Sequence, residues 1–138
     1  MYLIEKTFKI PMGHRLSMHK GLCQNFHGHN FVIKVGVSSK ALYPGDMVVD
    51  FSVLKDVVNG VLIQFDHAMV INGNEVMEVR EKFKDFKLVQ IDGEPTAENL
   101  SRFFYEAIKA VLGVGLTLEY VKIWENEDSM AMYKPEVY

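Results

Sequence analysis

The sequence predicts an α+β domain: a four-stranded antiparallel sheet with two helices on one face, in the order ββ-α-α-ββ. Three observations predict it. Residues 2–14 and 27–39 alternate between apolar and polar. Segments starting near 51 and 97 carry apolar residues at helical spacing, and two short strand-like runs close the chain. With 138 residues, 49% hydrophobic and 24% charged, the chain suits one domain, residues 1–138, with a real core.

In the first segment Tyr2, Ile4, Phe8, Ile10, Met12 and His14 share one phase, with Lys6 as the exception. In the second, His27, His29, Phe31, Ile33, Val35 and Val37 share one. Residues i and i+2 of a strand face the same side. An antiparallel pair therefore sets His14, ending one strand, beside His27 and His29, beginning the next. All three imidazoles fall on the apolar face at one end of the sheet, under a loop of residues 15–26 that carries Cys23.

Asp50 is the expected N-cap of a helix whose stripe is Phe51, Leu54, Val57, Val58, Val61 and Leu62. Residues 65–94 are the least regular part, with Asp66-His67, an Asn72-Gly73-Asn74 turn and a charged run to Lys87. Thr96 caps a second helix with the stripe Leu100, Phe103, Phe104, Ala107, Ile108, Val111 and Leu112, and Gly113 fits its C-cap. Strands over 116–125 and 130–137, joined by a turn near Asn126-Glu127-Asp128, complete the sheet. Two open edges are a pairing hazard that oligomerisation would cover.

Composition narrows the function classes. A formal net charge of −3 gives no basic field for nucleic acid. The apolar runs fall well short of a membrane span of about 20 residues. The first six residues lack a secretory apolar core. One cysteine cannot make an internal disulfide, which points to a reducing, cytoplasmic setting.

The chemistry concentrates in Cys23-Gln24-Asn25-Phe26-His27-Gly28-His29, with His14 upstream. A lone histidine on an apolar face is usually structural. Three clustered imidazoles would be buried without a common partner unless they held a metal. Zinc is the first expectation, since three nitrogen ligands leave an open position for water or substrate. Cys23 has three readings on residues alone: a small buried hydrophobe, a fourth ligand of a closed site, or a metal-activated thiolate base. Asp66-His67 suits a carboxylate holding an imidazole in one tautomer, or a loop pair bonded to backbone. Glu125 suits bidentate acceptance from a guanidine-like ring edge, or an ordinary strand-end acid. Glu98 fits the dipole at its helix start, and His19 reads as a solvated loop residue.

Together these residues resemble the 6-pyruvoyl-tetrahydropterin synthase and 6-carboxytetrahydropterin synthase family. The resemblance rests on Phe8 with His14-Arg15-Leu16, Cys23 with His27-Gly28-His29-Asn30-Phe31, Asp50-Phe51, Phe65-Asp66-His67, Pro95-Thr96-Ala97-Glu98-Asn99 and Trp124-Glu125-Asn126. It spans nearly the whole chain. It implies a T-fold, or tunnelling fold, in which three subunits close a barrel and two trimers stack into a homohexamer, with sites between subunits. By position it implies zinc on His14, His27 and His29, Cys23 as the base, and Asp66 and His67 as relay partners. It implies Glu125 as the pterin anchor, with Thr96 and Glu98 near the pterin pocket. The implied substrate is 7,8-dihydroneopterin triphosphate, with no nicotinamide cofactor.

Two products occur in the family. Triphosphate elimination alone gives 6-pyruvoyl-tetrahydropterin, for tetrahydrobiopterin biosynthesis. Further carbon–carbon cleavage gives 6-carboxytetrahydropterin and acetaldehyde, towards queuosine biosynthesis. The short gap from Cys23 to His27 resembles the carboxy-forming branch. Pro11-Met12-Gly13 departs from the small-residue run usual before the first histidine, and Ala68 stands where relatives vary. Arg15 and Lys20 are the cations nearest the motif for a phosphate tail. The alternative from another class is a non-catalytic zinc scaffold on the same fold. A zinc hydrolase lacks support, because no His-Glu-x-x-His pattern is present.

Overall fold

In the computed structural model, which describes residues 1–136, the two long alternating segments pair as their phases require. β1 (Tyr2–His14) and β2 (His27–Ser39) run antiparallel in one unbroken register, from Tyr2 opposite Ser39 to His14 opposite His27. β5 (Thr117–Asn126) adds to β2, and a tight turn at Glu127-Asp128 leads into the outer strand β6 (Ser129–Tyr133). The Asn126 side chain accepts from the Asp128 amide at 3.0 Å, which holds that turn.

α1 (Phe51–Leu62) starts at Asp50, whose carboxylate accepts from the Ser52 amide at 2.7 Å. The longest helix, Ala97–Val111, starts at Thr96, whose Oγ1 accepts from the Asn99 amide at 3.2 Å. Both helices lie on one face of the sheet. Leu54, Val58 and Leu62 of the first and Leu100, Phe104 and Ile108 of the second bury against Phe8, Ile10, Phe31, Ile33, Val35, Val121 and Ile123. Each such side chain contributes about 1.5–3 kcal/mol by leaving water.

The segment read as irregular is the correction. It holds β3 (Met69–Asn72), α2 (Val76–Lys82) and β4 (Leu88–Ile91), so the long C-terminal helix is α3. β3 runs parallel to β1, with Met69 opposite Gly13 and Val70 opposite His14, and β4 runs parallel to β3. The sheet is therefore mixed and six-stranded, in the order β4-β3-β1-β2-β5-β6. The expected four strands and two helices become six and three. Four-residue strands are too short to show a period, and Val70, Ile71 and Asn72 are all buried, so β3 has no polar face to alternate with.

Two smaller expectations also change. β6 stops at Tyr133, short of the expected 130–137, ahead of Pro135, which cannot donate to a ladder; position 137 lies outside the described residues. α3 closes on Leu112 in extended backbone, and the left-handed glycine is Gly115 (φ 84°) rather than Gly113. No helix among the described residues is long and apolar enough to cross a membrane.

Candidate metal and substrate site

The β1–β2 register brings the three histidines together. Met12 sits opposite His29 and His14 opposite His27, so the three rings gather at the strand ends, those of His14 and His29 packed edge-on against Phe31. Ring centroids are 4.5 Å apart for His14–His27, 5.1 Å for His14–His29 and 5.0 Å for His27–His29. One ligand nitrogen from each lies within 4.8 Å of the others.

Hydrogen bonds decide which nitrogens these are. His14 Nδ1 lies 2.8 Å from the Pro95 carbonyl, and His27 Nδ1 lies 2.7 Å from the Asn25 carbonyl. A carbonyl only accepts, so both Nδ1 atoms carry the proton and both lone pairs sit on Nε2. Nε2 of His14 and of His29 are buried with no hydrogen-bond partner among the described residues. Burial holds both rings below the ordinary imidazole range, which the Pro95 bond and the Glu125 charge only partly offset for His14. Buried imidazole nitrogens without a partner fit a metal, and the Pro95 carbonyl on the other nitrogen of His14 is the usual outer support of such a ligand.

The remaining expected residues take different places. Glu125, at the end of β5, sets Oε1 4.0 Å from His14 Nε2. It also lines a cleft of about 860 Å³ with Trp124, Asn126, His29 and Lys34. Cys23 is a free, half-buried thiol on a single 3₁₀ turn, Leu22–Gln24. It is not part of the three-imidazole group. Its carbonyl accepts from the Leu16 amide at 2.9 Å, which closes the base of the loop.

Asp66 and His67 form a close pair, with His67 Nδ1 2.7 Å from Asp66 Oδ1. His67 takes left-handed backbone (φ 56°) and leaves 79% of its side chain exposed. The pair stands outside the imidazole group, but His67 lines a cleft of about 450 Å³ that also touches His27 and His29. Thr96 is occupied as the α3 cap, and Glu98 is exposed in its first turn.

Sequence reasoning missed several supports. The Lys87 ammonium donates to the Asp66 carbonyl at 2.7 Å and the Ile63 carbonyl at 3.0 Å, tying down the Asp66-His67 turn. Arg15 pairs with Glu75 at 3.3 Å and lies over the Phe26 ring. Pro95, the first residue of the Pro95-Thr96-Ala97-Glu98-Asn99 motif, was the one signal available in sequence; its contact with His14 spans 81 positions.

Known proteins match nearly the whole chain. The family model described as 6-pyruvoyl tetrahydropterin synthase matches residues 3–136. A protein of Aquifex aeolicus named 6-carboxy-5,6,7,8-tetrahydropterin synthase is 35% identical, covering 96% of this chain and 98% of its own. A Haemophilus influenzae protein of the same name is 30% identical over 97% and 99%. Among solved structures, Caenorhabditis elegans 6-pyruvoyl tetrahydropterin synthase superposes with TM-score 0.74 at 26% identity, covering 98% of this chain and 96% of that one. An uncharacterized Wolinella succinogenes protein shares the fold at TM-score 0.83 and 20% identity, over 98% of both chains.

Proposed function

The chain belongs to the 6-pyruvoyl tetrahydropterin synthase family, and from that premise we propose that it is a zinc-dependent 6-carboxytetrahydropterin synthase. Its substrate is 7,8-dihydroneopterin triphosphate, and its products are 6-carboxytetrahydropterin, acetaldehyde and triphosphate. The observation that carries the reading is the pair of buried Nε2 atoms, on His14 and His29, that have no hydrogen-bond partner among the described residues. The carboxy product is supported by the names of the Aquifex and Haemophilus relatives and by the short Cys23–His27 gap.

His14, His27 and His29 would hold the ion. When bound, zinc supplies Lewis acidity towards the substrate's side-chain hydroxyls, which makes neighbouring protons easier to remove. Cys23 takes a proton from the substrate side chain as its thiolate. Asp66 holds His67 by Nδ1, leaving Nε2 to pass protons as the ring is reduced and the side chain oxidised. Glu125 accepts from the 2-amino and N3–H edge of the pterin. Losing triphosphate leaves a pyruvoyl side chain; cleaving that to a carboxylate and acetaldehyde consumes one water. Exposure of His67 away from its own imidazole group supports its serving a neighbouring subunit of a homohexamer.

Product analysis tests this. Zinc-loaded protein incubated with 7,8-dihydroneopterin triphosphate should release acetaldehyde with 6-carboxytetrahydropterin. Release of 6-pyruvoyl-tetrahydropterin and triphosphate alone would move the chain to the pyruvoyl branch. No turnover at full zinc occupancy would leave the non-catalytic scaffold as the reading.

A further inference from the structure

We infer that Glu94 is a positioning residue for the Cys23 thiol, clamping the loop that carries it to the segment that orients His14. Glu94 stands in the connection between β4 and α3 and is neither a metal ligand nor a cap. Its carboxylate takes both polar groups of Ser17: the backbone amide donates to Oε2 at 2.9 Å, and the hydroxyl donates to Oε1. Ser17 adjoins Leu16, whose amide is bonded to the Cys23 carbonyl. The path from Glu94 to the thiol-bearing residue is therefore two hydrogen bonds and one peptide unit.

The other end of the connection is equally fixed. The Glu94 carbonyl accepts from the Thr96 amide at 2.8 Å and from Asn99 Nδ2 at 3.0 Å, which ties the residue to the first turn of α3. The next carbonyl, that of Pro95, orients the His14 ring. One dipeptide thus grips the thiol loop by a side chain and a metal-binding ring by its backbone. Elsewhere loop 15–26 is held at its end, where the Phe26 ring packs edge-on against Phe83 at 5.3 Å. Met18 and Leu22 are more than four-fifths exposed, and its 3₁₀ turn has no buried residue. A second brace, Arg15 to Glu75, acts at the start of the loop. A loop of low local stability depends on such anchors.

The inference rests on the base role proposed for Cys23, and one arm of its test does not. Glu94→Ala should keep its zinc, through the unchanged Pro95–His14 bond, and keep KM. It should lower kcat by about 100-fold, the scale of an ångström's misplacement of a reacting group. Glu94→Gln, which retains an acceptor for the Ser17 amide and a donor for its hydroxyl, should recover most of that loss. Independently of turnover, iodoacetamide should alkylate Cys23 several times faster in Glu94→Ala, and in the milder Ser17→Ala, than in the parent chain. Unchanged alkylation in a folded variant overturns the clamp, as does a kcat loss that tracks zinc loss. If the parent chain itself turns over nothing, the proposed function fails while alkylation still decides the clamp.

Discussion

On the face of the sheet turned away from the helices, one carboxylate serves three partners. Glu5 Oε2 accepts from Tyr120 and from Lys122, each at 3.0 Å, and Lys34 stands 3.7 Å from Oε1. On the helix-covered face, two imidazole nitrogens in an apolar cluster have no partner among the described residues. The contrast separates a structural polar network from a binding site. Where water can reach, the chain satisfies its charges internally. Where water is excluded, an orphan nitrogen costs about 1–3 kcal/mol unless a ligand satisfies it, which suits these two to a metal.

The most damaging way to break the contrast is to remove a nitrogen from the covered face. His29→Ala should weaken zinc binding by more than the roughly 10–100-fold typical of losing an outer support, with turnover lost alongside; equilibrium dialysis with metal analysis reads the first. Cys23→Ala should leave zinc untouched and lower kcat by about 10²–10⁴-fold, the range for general base catalysis. A variant that lost its metal instead would make Cys23 a ligand.

Stability should divide along the same line. Phe31, fully buried beneath the imidazoles, should cost about 3–5 kcal/mol when truncated to Ala. Glu5→Gln, on the open face, should cost no more than about 1 kcal/mol, since solvent screens its pairs. Urea unfolding of the metal-free proteins compares them.

The smallest effect is in pH. Burial holds His14 and His29 below their ordinary 6.5. The unfolded chain therefore takes up protons first, so stability is full above pH 6.5 and falls as pH drops below it. For Glu5, burial is outweighed by Lys122, Tyr120 and Lys34 together, which hold its carboxyl below the ordinary 4.5. Its contribution is full above pH 4.5 and falls only below that. Thermal melts of metal-free protein across both windows should show the upper decline weakened in His14→Gln and unaffected by Glu5→Gln.

Much of this was legible along the chain because it is periodic. Alternation in residues 2–14 and 27–39 placed His14 against His27 and His29 before any pairing was known. Asp50 and Thr96 announced their helices through local capping chemistry. β3 and β4 were not legible, since four residues are too few to show a period and β3 is buried on both faces. Nor was the role of Glu94 and Pro95, whose partners lie 77 and 81 positions away.

The sequence by itself determined which side chains share a face, where the helices begin, and that three imidazoles would meet at one end of a sheet. Only the tertiary structure decided that β3 joins β1 in parallel, that the Pro95 carbonyl sets the His14 tautomer, and that the Glu94 carboxylate takes both polar groups of Ser17. The physical reason is range. Periodicity and capping act over a few residues and leave their mark in local order, whereas a hydrogen bond between distant segments depends on how the whole chain packs and has no signature at either end alone.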